Sequence, residues 1–191
     1  MAIVLDGTSG ITTPTIAATS ASTFTGALAL PSGGLNVGSG QLAVDASGRV
    51  TMPYQPCVTA ALSGGGNGMT GGGEILWNQV LVNNGSHYNA ATGRFTAPVA
   101  GFYRMSIGGL AAFAGGTAGS ATLLPYKNGA TIGGQYGRAF YEQTSSTGAK
   151  YVQMFGQWII QCAAGDTLSA HGSLYRELSA AYSSFTIELV G

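Results

Sequence analysis

From Val58 onward the apolar positions alternate with polar ones at a period of two, and the intervals between these runs carry turn residues. Val58 to Leu62 reads as a first strand, followed by a glycine-rich loop from Ser63 to Gly73. Asn83-Asn84-Gly85 is a turn ahead of His87 and Tyr88. Gly101 to Ile107 places Tyr103, Met105 and Ile107 on one face, with Arg104 and Ser106 on the other. Leu123 to Lys127 runs into Asn128-Gly129, a dipeptide that favours a two-residue hairpin because both positions tolerate positive φ. Tyr151 to Cys162 is the clearest strand, with Val152, Met154, Trp158, Ile160 and Cys162 on one face and Gln153, Gln157 and Gln161 on the other. Gly165-Asp166 turns the chain, and Phe185, Ile187 and Leu189 form the core face of a last strand. No stretch sustains a 3.6-residue apolar period, so the prediction is all-β.

The pattern changes near Tyr54 to Cys57, where Pro53 and Pro56 interrupt it. This divides the chain into an N-terminal part, 1–56, and a C-terminal domain, 57–191. In the N-terminal part Leu28-Ala29-Leu30, Leu35-Asn36-Val37, Leu42-Ala43-Val44 and Val50-Thr51-Met52 are apolar-x-apolar triplets separated by Gly, Ser, Pro or Asp. Such short ribbons are marginal alone in water. Three copies wound together would bury the triplets along a common axis as a short triple-stranded β-shaft. The other reading of this composition is a Gly/Ser-rich leader without fixed structure, and the periodic triplets argue against it.

Composition sharpens the picture. The chain has 191 residues and 32 Gly, and 7% of its residues are charged, where an ordinary soluble domain has roughly 25%. Gly, Ser and Thr in place of Lys and Glu disfavour helix. Seven basic residues balance seven acidic ones, which argues against nucleic-acid binding and against attraction to an anionic membrane. A surface this poor in charge fits a chain that buries much of itself in an oligomer. The N-terminus MAIVLDGTSG lacks the basic region and apolar core of a secretory signal, and Gly, Ser, Thr and Pro break every apolar run before Val44, so membrane insertion is not expected. Cys57 and Cys162 stand apart from any CxxC pair and read as reduced structural thiols.

The stretch WNQVLVNNGSHYNAATGRFTAPVAGFYRMSI, from Trp77 to Ile107, spaces Trp77, Asn83, Tyr88, Phe95, Gly101 and Tyr103 in a manner that resembles the globular head of complement, the complement-q branch of the tumour-necrosis-factor-like jelly rolls. The resemblance extends over about residues 57–191: the KNG hairpin, the strand ending before AAGD and the terminal SSFTIELV fall where that family places comparable elements. Trp77 stands where the family usually has Phe, and Met105 and Ile107 replace aromatics, which are swaps an apolar core tolerates. The resemblance implies a C-terminal jelly-roll β-sandwich and a homotrimer, with Trp77, Tyr88, Phe95, Tyr103 and Phe185 in the subunit core or at the trimer seam. A triple-stranded shaft below such a head keeps one symmetry throughout. The leader LDGTSGITTPTIAATSASTFTG is similar in style to those that attach bacteriophage fibres to the particle.

Catalytic patterns are weak. Gly66 to Gly71 matches GxGxxG with no strand-to-helix crossover around it, and a chain this rich in glycine produces such matches by chance. There is no Walker lysine motif or GxSxG elbow. His87 and His171 lack metal-binding company, and the carboxylates are scattered. No enzyme activity, cofactor or metal is expected. The sequon Asn84-Gly85-Ser86 matters only to a secreted eukaryotic chain. Recognition, where it occurs, belongs to loops on a rigid sandwich. Two segments mix aromatic and charged residues suited to hot spots: one carries Tyr136, Arg138 and Tyr141, the other Tyr175 and Arg176. These are the candidate contacts for a host surface glycan or protein.

Together these readings predict a virion protein assembled in the host cytoplasm: a trimeric phage tail fibre whose head binds the host surface and whose N-terminal segment docks on another virion protein. A capsid-mounted head fibre or decoration protein with a purely structural role is the alternative, favoured by the short chain.

Overall fold

The computed structural model describes residues 35–37, 42–44, 47–62, 73–113, 118–132, 134, 137–144, 147–148, 150–174 and 183–191. Fifteen strands occur among them and helix is all but absent. They are β1 (Leu35–Val37), β2 (Leu42–Val44), β3 (Val50–Thr51), β4 (Cys57–Ala61), β5 (Gly73–Glu74), β6 (Gln79–Asn84), β7 (Tyr88–Asn89) and β8 (Arg94–Thr96). The series continues with β9 (Gly101–Phe113), β10 (Gly119–Lys127), β11 (Ala130–Thr131), β12 (Ala139–Gln143), β13 (Lys150–Cys162), β14 (Thr167–Leu174) and β15 (Ser184–Leu189). Three of the four N-terminal triplets become β1, β2 and β3, and within one chain they pair as a small antiparallel meander. The triplet at Leu28 lies outside the described residues.

Two larger sheets make a jelly-roll-like sandwich. One runs β13-β9-β15-β4-β6; the other runs β11-β10-β14-β8-β7, with β12 paired to β10 and β5 to β14. Alternation decides which side chains meet between them. The five-stranded sheet contributes Val58, Ala60, Tyr103, Met105, Ile107, Met154, Trp158, Ile160, Phe185 and Ile187, all buried. The opposing sheet contributes Phe95, Ala121, Leu123, Leu168 and Ala170, also buried. The Trp158 indole lies over Gly156, where an added Cβ would fall 2.1 Å from it. Only glycine fits under that ring.

The turns carry the chemistry their sequences promise. Asn128 and Gly129 have φ of 53° and 76°, the left-handed pair of a type I′ hairpin, and Lys127 faces Ala130 across it. The same hairpin is tied to the Gly165-Asp166 turn. Asn128 Nδ2 donates to Asp166 Oδ1 at 2.8 Å, Lys127 Nζ pairs with Oδ2 at 2.8 Å, and the Ala163 amide donates to Oδ2 at 2.8 Å. The Asn128 and Lys127 bonds, with the Ala163 amide, hold the Asp166 carboxyl down to about 2 from an ordinary 3.8.

The folded-state pKa lies below the unfolded one, so this clasp stabilises the fold fully above about pH 4 and is lost as pH falls through about 2. Asp166→Asn is therefore expected to lower Tm by a constant amount from pH 7 to pH 5, and the gap should close between pH 4 and pH 2. Thermal denaturation across that range checks it, and a gap that does not change with pH would refute the clasp.

Candidate functional site

Local packing places the five aromatics singled out in the sequence. Trp77 sits in the connection between β5 and β6 and stacks on Phe185 with ring centroids 5.6 Å apart and planes 12° apart. Tyr88 meets the same Phe185 ring at 5.7 Å, and Phe95 meets Tyr103 at 5.6 Å. All five are buried within one chain, so they form the subunit core and have no surface left for a trimer seam. Tyr88 donates its hydroxyl to the Trp77 carbonyl at 3.1 Å, and Tyr103 donates to Val99 O at 2.9 Å. Burial pushes the Tyr88 phenol up to about 12, more than the bond to Trp77 lowers it. The Trp77 indole N–H is buried and finds no acceptor among the described residues.

The recognition-loop candidates separate. Tyr136, Tyr175 and Arg176 lie outside the described residues. Arg138 is exposed, with its guanidinium 5.3 Å from the Phe140 ring centroid, a cation–π pair at the start of β12. Tyr141 turns inward instead. Its ring lies 5.4 Å from Phe113 and packs against the core, because pairing of β12 with β10 sets its side toward the sandwich.

A surface the sequence reading passed over is larger. The outward face of β13 carries Tyr151, Phe155 and Ile159 between the glutamines, and these are 71%, 65% and 55% exposed. On neighbouring β9 the same face presents Phe102, Arg104 and Ser106; β15 adds Thr186 and Glu188, and β4 adds Thr59. Gln157 donates to Ser106 Oγ at 3.0 Å, and Arg104 pairs with Glu188 at 2.7 Å. The pair cancels its own charge, so the face is net neutral among the described residues. The signal was in the alternation itself: residues two apart from Gln153 and Gln157 are apolar as well as polar, which a strand with only one buried face does not require.

On the other sheet, His171 stacks on Tyr126 at 3.5 Å and faces Glu74 across the β14–β5 pair. Glu74 is held by Arg94 through two bonds of 2.8 and 2.9 Å. Burial raises the Glu74 pKa, but the bonds from Arg94 and Ser169 outweigh it and the net shift is downward. Burial lowers that of His171. No group of three or more His, Cys, Asp or Glu able to hold a metal occurs among the described residues. Cys57 and Cys162 are both free thiols, and burial raises Cys162 to about 11, so it is a poor nucleophile at neutral pH.

At the base of the sandwich the connector from β3 to β4 is fastened to the head. Asn84 Nδ2 donates to Pro53 O at 2.5 Å and to Gln55 O at 2.8 Å, Gln55 Nε2 donates to Leu189 O, and the Leu189 amide donates to Pro56 O at 3.2 Å. Asn84, the sequon asparagine, is thus committed to a structural role. A pocket of about 550 Å³ opens beside this junction.

The C1q domain model matches residues 60–186, about two-thirds of the chain and nearly all of the sandwich. The chain belongs to the C1q domain family. Among solved structures, the C1q fold here is similar to the globular domain of zebrafish complement 1qA protein, with a TM-score of 0.54 at 14% identity over 72% of this chain and 98% of that one. It is similar also to murine APRIL, solved at pH 5.0, with a TM-score of 0.55 at 12% identity over 71% of this chain and 99% of that one. At such identities the likeness concerns the fold. No curated protein matches the chain by sequence. C1q and tumour-necrosis-factor-like domains are generally binding or structural domains and commonly form homotrimers.

The Trp77–Phe185 stack generates a stability prediction. Phe185→Ala should cost about 3–5 kcal/mol, since it leaves a cavity under two aromatic rings. Trp77→Phe should cost well under that, because it also removes a buried N–H without an acceptor, a group that costs about 1–3 kcal/mol to bury unpaired. Urea denaturation of the two variants compares them directly.

Proposed function

We propose that this C1q-family chain is a homotrimeric, non-enzymatic virion fibre, with residues 57–191 as its head and the N-terminal part as shaft and attachment segment. The observation that carries the trimer is the outward face of the five-stranded sheet. Tyr151, Phe155, Ile159 and Phe102 expose large apolar surface there around one self-neutralised ion pair. An isolated sandwich gains nothing by leaving that face in water, and a second copy of the same face and edge would cover it. A closed three-fold arrangement buries it three times with one set of contacts.

The fibre reading is supported by the Gly/Thr/Ile leader and by the apolar triplets that pair as β1 to β3 ahead of the head. In this reading the leader docks on another virion protein and the head faces the host surface, where a glycan or protein is the ligand. Arg138 with Phe140 is the exposed aromatic–cation pair available to it. A capsid-mounted structural role is favoured by a separate observation: Tyr141, one of the recognition candidates, is turned into the core.

Two measurements test these points. Sedimentation should give three times the chain mass, and Phe155→Glu or Ile159→Glu should convert it to monomer with an unchanged β-sheet circular dichroism spectrum. A monomeric wild-type chain would overturn the trimer. Electron microscopy of the encoding virus, labelled with antibody against residues 57–191, should place label at the tail tip or baseplate. Label over the capsid would instead select the structural role, and unlabelled particles would remove the virion reading altogether.

A further inference from the structure

The pocket at the base of the sandwich lies where three stretches meet: the connector with Met52 and Tyr54, the Pro98-Val99 turn, and the end of the last strand at Val190. Its lining side chains include His87 but no acid, lysine or arginine. Met52, Tyr54, Val99 and Val190 are all exposed despite being apolar or aromatic. These side chains do not sit on a loose tether. The Asn84 and Gln55 bonds hold the connector against the head, so the apolar surface is a fixed feature of the fold.

The pocket is continuous with the outward face of the five-stranded sheet. The Val190 amide donates to Phe102 O at 2.8 Å, and the Phe102 amide donates to Gly191 O at 2.5 Å. Phe102 is itself exposed on that outward face, one alternation from Arg104. Exposed apolar side chains therefore continue from Phe102, beside the Arg104–Glu188 pair, through Val190 to Tyr54. A ligand specific to the pocket would need polar anchors to fix its orientation, whereas a protein seam needs mainly apolar area.

We infer that the basal pocket is closed by a second copy of this chain, so that the connector around Met52 and Tyr54 is part of the trimer seam. This rests on the trimeric reading above and extends it beyond the sandwich. The seam then begins below the head, and the chain enters the N-terminal meander already fixed in position relative to its neighbours.

The test installs the photo-crosslinking residue benzoylphenylalanine at Tyr54 in the full chain. Irradiation should give covalent dimers and trimers on a denaturing gel, with peptide mapping placing the link near Val99 or Val190 of another copy. Alongside it, Val99→Glu should raise the concentration at which the trimer dissociates on the order of tenfold or more, since it buries an unpaired charge. A trimer by sedimentation that yields only intrachain crosslinks would overturn this inference and leave the sheet-face seam standing. A monomer would overturn both.

Discussion

The register between β9 and β13 holds thirteen residue pairs, from Lys150 opposite Phe113 to Cys162 opposite Gly101. A slip of one residue in that ladder would exchange the two faces of β13, sending Trp158 and Ile160 into solvent and the glutamines into the core. What pins it is packing on the inward side. The Trp158 ring occupies the space over Gly156, where no other residue leaves room, and Trp158 lies opposite Met105 in the buried layer. Once that side is fixed, Tyr151, Phe155 and Ile159 have no choice of face. The outward apolar surface is thus a consequence of the same constraint that builds the core, and it is the face that the proposed trimer would cover.

Much of this architecture is legible in the sequence because it depends on local rules. Alternation marks Tyr103, Met105 and Ile107 as one layer, and the same holds for Phe185 and Ile187; all five are buried. Asn128-Gly129 specifies its hairpin through the positive φ that both residues adopt. What the sequence hides are contacts between distant positions. Asn84 reads as a turn residue and a sequon, yet its amide holds Pro53 and Gln55, 31 and 29 residues earlier. Tyr141 reads as a loop aromatic until β12 is paired to β10, which no local pattern announces. Alternation also assigns side chains to faces without saying which face is covered, so Phe155 and Ile159 passed as neighbours of glutamines. The split between an N-terminal part and a head at residue 56 follows the prolines, whereas the hydrogen bonds carry the head's framework back to Pro53.

Scarcity of charge takes on a structural meaning in this frame. Where the described ion pairs occur they are assigned to fixed tasks: Arg94–Glu74 on the sheet that contains β14, Lys127–Asp166 at the hairpin clasp, Arg104–Glu188 on the outward face of the five-stranded sheet. All three are partly exposed, and the first two close local geometry. The third lies amid Ile159, Ser106 and Thr186, on the surface a partner would cover. Two opposite charges already paired within one chain bring less desolvation cost into an interface than an isolated charge, since each keeps its partner when water leaves. Apolar surface alone gives little preference among orientations, so a neighbour that slides along Phe155 and Ile159 would lose little contact. A fixed dipole within that surface penalises misplacement through unmatched polar groups. In the trimer proposed above, Arg104 and Glu188 would therefore serve orientation rather than affinity, and the aromatic and aliphatic residues around them would supply the area.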